Sequence, residues 1–237
     1  MSVVFLTADW KKLILANYTV DPASLRPFLP ARTELDTWEG DAYVSLVGFQ
    51  FREVRVRGLR IPFHTQFPEV NLRFYVRHRQ DGQWKRGVVF IREIVPLPAI
   101  TLVANTLFRE RYMTLPMRYT ENKNDRHLQA AYQWKFKGRW NRLTVDAEPD
   151  ANPMETDSHE EFITEHFWGY ARTGRDSTGE YQVAHPRWDI YPVLRQQIDC
   201  DFGGLYGAAF AGLEGQDPQS VFLAEGSSVQ VYGKTNV

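Results

Sequence analysis

A carboxylate, an amide, a guanidinium and a phenol stand in a row on one face of a single predicted strand. In the stretch FPEVNLRFYVR, residues 67–77, Glu69, Asn71, Arg73, Tyr75 and Arg77 fall on one parity, and Val70, Leu72, Phe74 and Val76 on the other. Successive strand side chains point to opposite faces, so this pattern describes a strand with one polar and one apolar face. A solvated face would carry scattered Lys and Ser. These groups can instead bond one another or a ligand. Two readings follow. The row lines an enclosed pocket, with Arg73 or Arg92 clamping a carboxylate and Glu69 as acid or base; or it is a self-satisfied ladder in which Arg73 pairs with Glu69 or Glu93 and only sets register. A carboxyl group in an apolar enclosure has a raised pKa, which suits Glu69 to proton transfer.

Secondary candidates lie on either side. His64 precedes the strand in IPFHTQFPE. In FITEHFWGYA, residues 162–171, strand geometry places Thr164, His166, Trp168 and Tyr170 on one face, making His166 a second candidate for proton transfer and Trp168 a pocket wall. Glu165, His166 and His185 have the chemistry of a zinc site, but isolated histidines are commonly only hydrogen-bonded, and no metal or cofactor is assigned. Walker, GxSxG, HExxH and CxxC signatures are absent. Cys200 lies between two aspartates, which disfavour its thiolate.

The elements that must position these residues are mostly strands. Gln80-Asp81-Gly82-Gln83 turns the first strand into RGVVFIREIVP, whose central Val88–Ile91 is apolar on both parities and whose adjacent Arg92 and Glu93 must point opposite ways. Leu13–Val20 reads as a strand, followed by a short helix opened by Asp21-Pro22. Glu34–Trp38 and Tyr43–Phe51 read as a hairpin about Glu39-Gly40-Asp41. Ala99–Arg111 carries helical spacing in Ile100, Val103, Ala104, Leu107 and Phe108. Gln129–Phe136 and Trp140–Ala147 form another hairpin, and Ser158 with Glu161 a capping box. The tail reads as two strands, SVFLAEG and SVQVYG, joined by a Gly-Ser turn. About ten short strands with few helices make a mainly β, α+β unit that is closed or nearly closed, in one domain spanning 1–237.

The totals set bounds. The chain has 237 residues, 43% apolar and 14% aromatic, enough for a sizeable core. A formal charge of −1 gives no electrostatic case for nucleic acid or an anionic membrane. The basic residues are 21 Arg against 7 Lys, and Arg is the better residue for forked contacts to carboxylates. A single cysteine and an N-terminus with neither signal nor span lead us to expect a soluble, cytoplasmic protein. Homo-oligomerisation is left open.

The blocks TADWKKLILANYTVDPASLRPFLP, ELDTWEGDAYVSLVGFQF, FPEVNLRFYVR, RGVVFIREIVP, EEFITEHFWGYA and EYQVAHPRWDIY together resemble the family called domain of unknown function 2071, over nearly the whole chain. That family is similar in turn to the acetoacetate decarboxylase superfamily. The resemblance implies an antiparallel β-barrel wrapped by further strands and a few short helices, with a pocket inside. Phe67-Pro68-Glu69 matches an aromatic-x-Glu block of the decarboxylases, which implies a pocket role for Glu69. Their nucleophile is a lysine in a Pro-Lys-Lys motif following an Arg-Glu pair. Here Arg109-Glu110 is present, but the motif position reads Leu115-Pro116-Met117-Arg118, so the Schiff-base lysine is missing. None of the seven lysines stands in an obviously buried block. The expectation is a protein that binds a small anionic organic molecule, a carboxylate or keto acid, through Glu69, Asn71, Arg73, Tyr75, Arg92, Glu93, His64 and Trp168. The alternatives are an enzyme of lyase or hydrolase type using Glu69 and His166 on a carbonyl substrate, and a structural protein with a filled barrel.

Overall fold

The computed structural model describes residues 3–237. In chain order the elements are β1 (Val4–Val20), α1 (Pro22–Leu25), β2 (Thr33–Leu35), β3 (Ala42–Val56), β4 (Phe67–Gln80), β5 (Gln83–Val95) and α2 (Pro98–Val103), which runs on as a π turn, Ala104–Phe108. Then come β6 (Tyr112–Thr114), β7 (Met117–Lys123), β8 (Leu128–Phe136), β9 (Arg139–Ala147), β10 (Asn152–Pro153), α3 (His159–Thr164), β11 (Trp168–Arg172) and β12 (Thr178–Ala184). The chain ends with β13 (Asp189–Tyr191), β14 (Val193–Asp199), α4 (Phe202–Tyr206), β15 (Ser220–Tyr232) and β16 (Thr235–Asn236).

The larger sheet runs β15-β1-β3-β4-β5-β11-β12, and β12 returns to β15 through Val183 opposite Val231 and Ala184 opposite Gln230. These seven strands therefore form a barrel-like ring, antiparallel except where β11 meets β5. A second sheet, β14-β9-β8-β7, packs outside it. The two parities of β4 explain both layers. Val70, Leu72, Phe74 and Val76 face outward into a core shared with Tyr132, Trp134, Leu143 and Val145 of the second sheet and Phe202 and Leu205 of α4. Glu69, Asn71, Arg73 and Tyr75 face into the ring, among Leu13, Leu15, Phe49, Phe67 and Val88. The layers approach closely enough that a Cβ at Gly48 would lie 2.7 Å from the Tyr132 ring.

Four local expectations need correction. The tail is one continuous strand, not two joined by a turn. Gly226 takes φ 79° opposite Lys11, beside the point where β1 shifts register against β3, and a Cβ there would overlap the Trp10 carbonyl, so the glycine permits a close backbone approach within one strand rather than a reversal. Glu34–Trp38 is not a hairpin partner of β3. Its strand portion, β2, pairs with β4, Thr33 opposite His78. Phe162–Thr164 belongs to α3, which the Ser158 cap opens as expected, and the strand begins only at Trp168. Finally, Lys12 is buried, and pairs with Glu225 and the Tyr191 hydroxyl. Among the described residues, no helix is long and apolar enough to cross a membrane.

Candidate functional site

The inside of the ring is not filled. It holds a cavity of 430 Å³, in the size range of small-molecule sites. Its wall is mostly apolar and aromatic, including Phe49, Phe51, Phe90, Phe108 and Trp188. The apolar face predicted on the 99–111 helix closes one side, through Ile100, Val103, Ala104 and Phe108. Ile61 of the loop after β3 and Val103 of the helix line the cavity and are themselves exposed, and Leu59, Phe63, Leu102 and Leu107 on the same two segments are exposed as well.

Of the predicted residues, Glu69, Asn71, Arg73, Glu93, His64, His166 and Trp168 line this cavity. Thr164, His166 and Trp168 do so not as one strand face but because α3 ends beside the start of β11. Tyr75 is buried on the inner face, where its hydroxyl is tied to Ser45 (2.5 Å) and its ring lies against His166; it does not line the space. Arg92 is the correction. Leu72 pairs with Arg92 but Arg73 with Phe90, so Ile91 is an extra residue that shifts the parity of β5. Phe90 and Glu93 thereby both face the cavity. Arg92 points outward and donates to the Leu205 carbonyl of α4.

Several residues of the cavity wall escaped sequence reasoning. Glu110, at the end of the helix, and Tyr112 after it turn into the cavity, joined by Tyr181 of β12. Glu69 accepts from Asn71 Nδ2 (2.9 Å) and from the Tyr112 hydroxyl (3.0 Å). Three carboxyl groups, Glu69, Glu93 and Glu110, thus share one buried space. Burial pushes Glu69 and Glu110 up to about 7, against the pull of their hydrogen-bond partners. Glu93 is held well above the usual carboxylate range by burial and by the neighbouring Glu110 and Glu69. Glu93 Oε2 and Glu110 Oε1 have no hydrogen-bond partner. The available signal was the Arg109-Glu110 pair itself; a charge at a helix end ordinarily reads as solvated.

Asp36 and Arg86 were also missed, because nothing in sequence links them to His166. Arg86 Nε donates to Asp36 Oδ2 (2.6 Å), which lies 3.1 Å from His166 Nε2. Burial pushes Asp36 up, but the two hydrogen bonds outweigh it and hold the carboxyl below its ordinary value. An ionised carboxylate only accepts, so Nε2 carries the imidazole proton. Burial pushes His166 down to about 4 despite Asp36, leaving the ring neutral with Nδ1 unpartnered.

Arg73 is the one guanidinium among the described lining residues. It is only 9% exposed. Its Nη2 donates to the Ile163 carbonyl (3.2 Å), and its Nε has no partner. Among the described residues no carboxylate forms an ion pair with it. None of the seven lysines lines the cavity. The Pro116-Met117-Arg118 position lies at the second sheet, with Met117 against the outer core and Arg118 over the Trp140 ring.

This architecture has solved counterparts. The chain is similar to an acetoacetate decarboxylase from Legionella pneumophila (TM-score 0.66, 11% identity, covering 98% of this chain and 87% of that one). It is also similar to the enduracididine biosynthesis enzyme MppR complexed with pyruvate (TM-score 0.67, 12% identity, 100% and 91%). A third is an acetoacetate decarboxylase-like enzyme from Sphingomonas wittichii RW1 (TM-score 0.66, 12% identity, 99% and 94%). At such identities the likeness is one of fold. By sequence, the chain is 29% identical over 192 residues to the uncharacterized protein YqjF of Bacillus subtilis (strain 168), 76% of this chain and 72% of that protein. Residues 7–228 match the model of an uncharacterized conserved protein family, and on that extent the chain belongs to the DUF2071 family, with an acetoacetate decarboxylase-like fold.

Proposed function

We infer that this protein binds a small organic carboxylate, keto acids among them, inside the ring and without forming an imine. One observation carries the reading. Arg73 is a buried guanidinium with no ion-pair partner and a free Nε–H, beside an open cavity. A buried charge without a counter-charge is costly, and a ligand carboxylate would supply the missing anion in a forked contact. The apolar wall suits a hydrocarbon body, and a fold neighbour was solved with pyruvate. With no lysine on the wall, a carbonyl would meet hydrogen-bond donors rather than an amine nucleophile.

Calorimetric titration with pyruvate and with 4-methyl-2-oxopentanoate tests this. Both should bind, the second more tightly because it buries more apolar surface. Arg73→Met should weaken binding by about 2 kcal/mol, the scale of a charge-assisted hydrogen bond. Borohydride added with either acid should leave the protein mass unchanged. Unaltered binding by Arg73→Met, or a reduced adduct on a lysine, would defeat the reading.

A further inference from the structure

The unpartnered atoms of the cavity differ in sign, and their signs restrict the ligand. Asn71 gives one Nδ2 hydrogen to Glu69 Oε1, and its Oδ1 remains a spare acceptor. His166 spends Nε2–H on Asp36, leaving the Nδ1 lone pair as a second spare acceptor. Arg73 Nε is a spare donor. All three side chains line the cavity and are at least nine-tenths buried. A plain oxo acid brings only acceptors. It satisfies Arg73 but has no hydrogen to give Asn71 Oδ1 or His166 Nδ1, and a buried polar atom left unmatched is costly.

Resting on the carboxylate reading above, we propose that the preferred ligand is a hydroxy acid, with a hydroxyl on the second or third carbon beside the carboxylate and an apolar remainder. The carboxylate takes the Arg73 donor, and the hydroxyl hydrogen goes to Asn71 Oδ1 or His166 Nδ1. Asn71 and Arg73 alternate on β4, so they stand roughly 6.6 Å apart along the strand. A carboxylate and a hydroxyl one or two carbons away reach across that interval. Glu93, which burial and its acidic neighbours keep protonated, carries an O–H and a carbonyl oxygen, and accommodates either face of the hydroxyl. The remainder lies toward Phe90, Val103, Phe108 and Trp188.

The test is calorimetry at pH 6.5 on one carbon frame: 2-hydroxy-4-methylpentanoate, 4-methyl-2-oxopentanoate, leucine and 4-methylpentanoate. The hydroxy acid should bind at least tenfold more tightly than the oxo and unsubstituted acids. Of His166→Phe, which keeps an aromatic ring beside Tyr75 and Phe162, and Asn71→Leu, at least one should shrink that advantage to below threefold; an advantage unchanged in both folded variants would overturn the inference. The series on the unaltered protein stands as a test even if the variants fail to fold. Equal binding of the hydroxy, oxo and unsubstituted acids would overturn this inference and leave the carboxylate reading intact. Tighter binding of leucine than of the hydroxy acid would overturn it in favour of a zwitterion. Failure of all four to bind would remove both.

Discussion

Raising the pH should weaken carboxylate binding, because the ligand and Glu69 compete for one cation. Arg73 is the one guanidinium on the described wall, and Glu69 lies near enough for that charge to hold its carboxyl down. Glu69 nonetheless sits at about 7, because burial dominates. Below that value the carboxyl is neutral and Arg73 is available to an incoming anion. Above it, a ligand carboxylate must enter beside an ionised Glu69, or bind together with a proton. If only the protonated form accepts the ligand, affinity falls about tenfold between pH 6 and pH 8, worth about 1.4 kcal/mol. Pyruvate titrated across pH 5.5–8.5, in buffers of different ionisation enthalpy, reads both the decline and the proton taken up. Glu69→Gln, neutral at every pH, should bind at pH 8 nearly as well as the parent protein does at pH 6. An affinity level or rising over this interval, or a Glu69→Gln protein that declines as steeply as its parent, would refute the competition for Arg73.

Other outcomes follow from the same geometry. Glu69, Glu93 and Glu110 hold protons in the folded protein at pH values where the unfolded chain has lost them; stability contributed by these protons is complete below about pH 4.5 and declines as pH rises through about 7. Thermal unfolding without ligand should therefore show a lower Tm at pH 8 than the proton linkage allows at pH 6, and Glu93→Gln should raise the Tm at pH 8; no gain there would place Glu93 outside the buried cluster. Asp36→Ala leaves His166 Nε2 and Arg86 without their shared acceptor and should cost about 2 kcal/mol, read as a Tm fall of about 4–8 °C. Gly226→Ala forces a Cβ toward the Trp10 carbonyl at φ 79° and should destabilise by more than about 1 kcal/mol, measured by urea unfolding.

The alternation of 67–77 was enough to name the inner row. Strand side chains alternate by covalent geometry, so Glu69, Asn71 and Arg73 had to share a face opposite Val70, Leu72 and Phe74, whatever they met there. The mainly β class and most hairpins were legible for the same reason, since turn chemistry and period are local. The long family blocks carried the ring itself. Parity fails where a strand is interrupted: Ile91 bulges out of register, which exchanges Arg92 for Glu93 on the inner wall. Gly226 reads locally as a turn, but its glycine serves the close approach of the Trp10 carbonyl on the neighbouring strand. Closure was decided only in three dimensions. The ring brings Glu110, Tyr112 and Tyr181 against Glu69 and Glu93, and sets Asp36 behind His166, joining residues separated by up to 130 positions. Local sequence can state which way a side chain points, but burial and the charges that surround it come from distant strands, and those determine whether a carboxyl group holds its proton.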